Sequence, residues 1–136
     1  MAYFENSEKL QEVLGGFFQK LLGDPSIGPK LQDSKMVIKF VYSEPALSIT
    51  IDCSKSPVQL LFNDSSVKSE VEMSMKADVA HRFWFGKVNL LAALTRREMV
   101  AKGPIPKVLK LLPVIKPAYD LYPKYLQEKG FSNLLI

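Results

Sequence analysis

The chain has one cysteine and one histidine among its 136 residues. A single cysteine excludes an internal disulfide framework and any multi-cysteine metal site, and a single histidine excludes a His-pair metal site. No apolar run approaches the ~20 residues that span a bilayer as a helix. The opening residues, Met1-Ala2-Tyr3-Phe4-Glu5-Asn6-Ser7-Glu8, lack a basic stretch followed by an apolar one, so no secretory leader is expected. The final Leu134-Leu135-Ile136 is not a peroxisomal address. The expectation is a cytoplasmic protein with a reduced thiol. Phosphate-binding loops, dinucleotide fingerprints and nucleophile elbows are missing too, and Gly15-Gly16 falls inside a helical pattern rather than a phosphate cradle. No cofactor is implied.

Hydrophobic residues make up 47% of the chain and charged residues 24%. That is a soluble globular composition, and the length fits one domain over residues 1–136 with one core. The net charge of +4 is unevenly spread: residues 1–81 carry −3 and residues 82–136 carry +7. A basic C-terminal portion favours an acidic partner such as a lipid head group or an anionic membrane surface. Nucleic acid is not expected, because the basic residues are scattered among apolar ones and the sheet aromatics Phe40 and Phe62 fall on the face that helices must cover.

Leu10, Val13, Leu14, Phe17, Phe18 and Leu21 recur at helical spacing, with Asn6 or Ser7 as a cap and Gly15-Gly16 as a weak point. Four alternating segments follow at hairpin spacing, over 36–42, 47–53, 58–62 and 71–77. The short link 43–46 predicts antiparallel pairing of the first two. The stretch Asn63-Asp64-Ser65-Ser66 reads as a turn between the last two. One apolar face per strand predicts a single-sided sheet that helices must cover. Asp78 reads as the cap of a short helix closed by Gly86, and Asn89 as the cap of another over 90–95. A last strand over 98–103 points Met99 and Ala101 to one side. Pro104, Pro106, Pro113, Pro117 and Pro123 then break an apolar stretch into two or three short helices, roughly over 106–112, 117–122 and 123–129.

Few residues invite chemistry. His81 reads as a partly exposed helix residue with no nucleophile beside it, although a general base for acyl thioesters is the enzymatic alternative. Cys53 lies on an apolar strand face and reads as an inert buried thiol. Glu70 and Glu72 read as a solvated face. The apolar excess on short, Pro- and Gly-broken elements is more informative. A sheet under such a roof can close around an apolar site, and methionines adapt to variable guests.

From Val71 to Gly130 the order of signals resembles the sterol carrier protein type-two family of lipid-binding domains. The resemblance runs through Glu72-Met73-Ser74-Met75-Lys76-Ala77, Asp78, Phe85-Gly86-Lys87, Asn89, the strand ending at Lys102-Gly103 and the Leu/Pro-rich C-terminal helices. The chain departs from the family's more usual Gly-Asp pair with Gly103-Pro104. The resemblance implies an α/β (α+β) domain with a five-stranded, mainly antiparallel sheet and helices on one face. Between them it implies a hydrophobic tunnel for a fatty acid, acyl-CoA, phospholipid or sterol, with binding and transfer but no catalysis. The expected lining is Met73, Met75, Phe83, Trp84, Leu90, Leu94, Met99, Leu109, Leu112, Ile115 and Tyr119. Arg97, Lys102, Lys107 and Lys110 are the expected contacts for a head group or a membrane surface. The alternative is an interaction module, possible as a homodimer, that docks through Leu121 and Leu126 of the apolar C-terminal helices.

Overall fold

A computed structural model describes residues 3–136. Its centre is a five-stranded sheet in the order β3-β2-β1-β4-β5. The strands are β1 (Val37–Ser43), β2 (Leu47–Asp52), β3 (Gln59–Phe62), β4 (Val71–Lys76) and β5 (Met99–Lys102). Three neighbouring pairs are antiparallel, and β1–β4 is parallel. The expected β1–β2 hairpin is present. The link after β3 is not the expected turn: β3 pairs with β2, and the chain crosses the sheet to lay β4 beside β1. Parallel strands cannot be joined by a tight turn, so residues 63–70 make a crossover despite their turn-forming composition.

Alternation decides which side of the sheet is covered. Ile38, Ile49, Ile51, Val71, Met73, Met75 and Met99 are buried on one face. The opposite face carries Lys39, Ser48, Glu72, Ser74 and Lys102. Helices cover the apolar face. They are α1 (Ser7–Leu10), α2 (Gly16–Gly23), α3 (Gly28–Ser34), α4 (Ala77–Trp84), α5 (Leu90–Thr95), α6 (Ile105–Ile115) and α7 (Ala118–Glu128). Asn6 caps α1 by accepting from the Lys9 N–H, and Asn89 caps α5 by accepting from the Ala92 N–H. No helix among the described residues is long and apolar enough to cross a membrane.

Gln11–Gly15, between α1 and α2, is π-helical. This segment places Gly15 against the Phe62 ring and Gly16 against the Tyr125 hydroxyl. Tyr125 donates to the Val13 carbonyl at 2.8 Å, which docks α7 onto the backbone of this segment. The glycine pair is therefore a packing site and not only a weak point.

Three further expectations are corrected. The residue flanking the start of α4 is Lys76, while Asp78 lies in the first turn and accepts the Tyr3 N–H at 3.0 Å. The stretch forms two helices, the lower of the two counts expected, but Pro113 lies inside α6 and Pro123 inside α7 rather than at breaks. An internal proline removes one backbone bond and costs about 3 kcal/mol. In α7, buried Tyr122, Tyr125 and Leu126 hold both sides of Pro123, and in α6 the Pro113 ring lies outward, opposite the side that packs on the sheet. Leu126, proposed above as a docking residue, is fully buried in the chain's own core.

Candidate functional site: an apolar cavity under the helices

Between the sheet and its roof lies a cavity of about 80 Å³. The floor follows from register. Ile51, Ile38 and Val71 form one row, Phe40 and Met73 a second, and Tyr42, Met75 and Met99 a third. The roof follows from helical spacing. Phe18, Leu21 and Leu22 descend from α2, Ala80, Phe83 and Trp84 from α4, and Val108, Leu111, Leu112 and Ile115 from α6. Each set repeats at i, i+3 and i+4, which puts it on one helix face. Leu31 and Leu90 close the sides from α3 and α5.

Of the eleven expected lining residues, the cavity wall contains Met73, Met75, Phe83, Trp84, Leu90, Met99, Leu112 and Ile115. Leu94, Leu109 and Tyr119 are off the wall. Leu109 lies one residue from Val108 and so about 100° round the helix. Tyr119 packs edge-on against Phe83, with ring centroids 5.8 Å apart, beside Gly86. The contributions of α2, α3, β1 and β2 are absent from the expectation. The signal for β1 was in its alternation, Ile38-Phe40-Tyr42, in step with the face of Met73 and Met75.

The wall is almost wholly hydrocarbon and sulfur. Only two of its residues, Tyr42 and Trp84, carry a polar side-chain group, a hydroxyl and an indole N–H. The Tyr42 hydroxyl is buried and has no hydrogen-bond partner. Burial pushes its phenol far above the ordinary value, so it is neutral. No lysine, arginine, histidine, aspartate or glutamate lines the cavity.

Charge is kept outside. Lys107 pairs with Glu70 at 2.9 Å, and Lys102 stands 3.8 Å from Glu72. Arg97 and Lys110 are exposed, with no ion pair among the described residues. Arg97 also adopts a left-handed backbone, with φ of 61°. Arg97 borders a shallow hollow formed by the ends of β1 and β4 with Arg82, apart from Lys107 and Lys110 on α6.

His81 is not partly exposed; it is fully buried and away from the cavity wall. Its Nδ1 is 2.8 Å from the Tyr122 hydroxyl and its Nε2 is 2.7 Å from the Leu134 carbonyl. A carbonyl only accepts, so Nε2 carries the proton and Nδ1 accepts from Tyr122. Tyr3 and Phe4 pack on the ring, at centroid distances of 4.5 and 5.4 Å. His81 therefore ties both ends of the chain to α4, with both ring nitrogens engaged. Cys53 is buried, and burial pushes its thiol up to about 11, which leaves it protonated.

Comparison with known proteins adds to this geometry. The model of the SCP-2 sterol transfer family matches residues 18–116. The search of curated proteins finds no match. Among solved structures, the chain is similar to sterol carrier protein 2 from Yarrowia lipolytica in its apo form, at 13% identity and a TM-score of 0.66, over 87% of this chain and 98% of that one. It is similar to the sterol carrier protein domain 2 of Helicoverpa armigera at 15% identity and a TM-score of 0.67, over 86% and 94% of the two chains. It is also similar to a UbiJ-SCP2 ubiquinone synthesis protein, at 16% identity and a TM-score of 0.57, over 82% and 89%. At these identities the structures speak for the fold, and the family model extends that likeness to the sequence over most of the chain: it belongs to the SCP-2 sterol transfer family.

Proposed function

We propose that residues 1–136 form one domain that carries a lipid, its chain held between sheet and roof, without catalysing a reaction. The observation that supports this best is the wall itself. Nine elements converge on one space and bring to it apolar side chains, with only two residues, Tyr42 and Trp84, carrying a polar side-chain group. Each buried methylene gains about 0.8 kcal/mol, so a dozen gain roughly 10 kcal/mol before ordering costs.

The space of about 80 Å³ is well below the roughly 300–1,000 Å³ of pockets that enclose a drug-sized ligand. The unliganded cavity is therefore nearly closed, and a guest has to open it into a tunnel. The movable wall in this reading is α6. Val108 is its only fully buried residue, while Leu111, Leu112 and Ile115 are half-buried. Pro113 also leaves it one backbone bond short. Residues 99–119, which include α6, hold Lys102, Lys107, Lys110 and Lys116 and no aspartate or glutamate. Those lysines suit a negatively charged membrane surface at the point where α6 would open. A cytoplasmic setting, where Cys53 stays reduced, agrees with this.

Native mass spectrometry of the protein as purified is the test. A mass increment that extracts into organic solvent as a lipid supports the reading. A bare polypeptide mass that stays bare after incubation with mixed lipid vesicles contradicts it.

A further inference from the structure

We infer that the Tyr42 hydroxyl is the polar anchor of the cavity, and that the preferred guest is a neutral lipid that enters with a hydroxyl or carbonyl oxygen leading. This rests on the lipid-carrying reading above and specifies its ligand. Tyr42 is 3% exposed, lies on the cavity floor beside Met75 in register, and its hydroxyl has no partner. A buried donor left unmade is costly, and the fold does not leave its other core phenols so. Tyr122 is bonded to His81, and Tyr125 to the Val13 carbonyl. The one other orphaned buried side-chain atom among the described residues, the Thr50 hydroxyl, belongs to the opposite face of β2, since Ile49 and Ile51 take the covered face. Tyr42 is thus the one core phenol whose hydroxyl has no partner, and it stands on a residue that lines the cavity, where phenylalanine would pack a dry core as well.

The wall also decides the charge of the guest. An ionised carboxylate led into the cavity would meet no cation there, and burying it unpaired is prohibitive. A hydroxyl or carbonyl needs one hydrogen bond, which Tyr42 can donate or, for a hydroxyl, accept. A fatty acid would have to leave its head in water.

Three twelve-carbon probes separate these cases: 1-dodecanol, 1-chlorododecane and dodecanoate, each titrated below its solubility limit. Trp84, the only tryptophan of the chain, is on the cavity wall and reports occupancy by its fluorescence. Wild type is expected to bind the alcohol about fivefold more tightly than the chloride, the size of one neutral hydrogen bond, with dodecanoate weaker than the alcohol. Tyr42→Phe is expected to abolish the alcohol's advantage over the chloride and to melt no lower than wild type, since the lost hydroxyl bonded to nothing. An alcohol preference that survives in Tyr42→Phe, or no preference in wild type, overturns the anchor while binding of the probes leaves lipid carriage standing. If no probe binds wild type, the lipid-carrying reading falls and the anchor falls with it.

Discussion

The Tyr125 hydroxyl occupies the space that a β-carbon on Gly16 would need. Helical glycine usually weakens a helix, and Gly→Ala then stabilises it by up to about 1 kcal/mol. Here the sign reverses. Gly16→Ala has to displace Tyr125 and its bond to the Val13 carbonyl, at an expected loss of about 1–3 kcal/mol. Gly23→Ala meets no atom within 4 Å, so it is the control, expected to be neutral or stabilising. Urea midpoints of the two variants settle the matter: a Gly16→Ala protein as stable as Gly23→Ala contradicts this packing.

His81 makes stability depend on pH. Burial lowers its pKa from the ordinary 6.5, opposed by the Leu134 bond and by Asp78, and assisted by Arg82. Below 6.5 the unfolded chain takes up a proton that the folded one refuses, so its contribution is intact above that pH and is lost as pH falls below it. Tyr3, Phe4, Phe85 and Tyr122 pack around the ring, and of these Tyr122, whose own pKa is raised, stays neutral throughout. Unfolding free energy is expected to decline between pH 7 and pH 5, and the decline is expected to shrink in His81→Gln. Identical slopes in the two proteins would show that His81 is not the group responsible.

What the sequence made legible was whatever depends on short-range periodicity. The alternation of Leu47, Ile49 and Ile51, the helical stripe from Leu10 to Leu21 and the Asn6 and Asn89 caps all appear as expected. What it hid depends on contacts between distant parts of the chain. Nothing within ten residues of His81 announces that Leu134 and Tyr122 will bond its ring. Pro123 is a breaker by local rules, yet the aromatic packing of Tyr122 and Tyr125 overrides them. The turn-like residues 63–66 serve a crossover because β4 pairs in parallel with β1, while β3 pairs with β2. The cavity wall was half visible for the same reason: Met73 and Met99 belong to the segment with the family pattern, while Phe18, Leu21 and Leu31 come from the far end of the chain.

The lysines of α6 and the one just after it give a test of surface attachment. Lys110 and Lys116 are exposed and unpaired among the described residues, whereas Lys107 is held by Glu70. Each lysine near an anionic bilayer is worth about 1 kcal/mol. Lys110→Glu with Lys116→Glu is expected to weaken co-sedimentation with phosphatidylserine-containing vesicles by tenfold or more, and 0.5 M salt is expected to do the same to wild type. Co-sedimentation with the phosphatidylserine-containing vesicles that is equally strong in both proteins contradicts an electrostatic contact.

The central claim is that the space beneath α4 and α6 exists to be filled. Ala80 is buried on α4 and faces that space. At roughly 24 cal/mol per Å³, closing about 80 Å³ stabilises the empty protein by up to about 2 kcal/mol. The direct measurement is titration of wild type and Ala80→Leu with a fluorescent fatty acid, whose chain enters while its carboxylate stays at the mouth. The account predicts saturable binding by wild type with a Kd near or below about 1 μM, and little or none by an Ala80→Leu protein that melts at the same or a higher temperature. Equal binding by both proteins, or none by either, would contradict it.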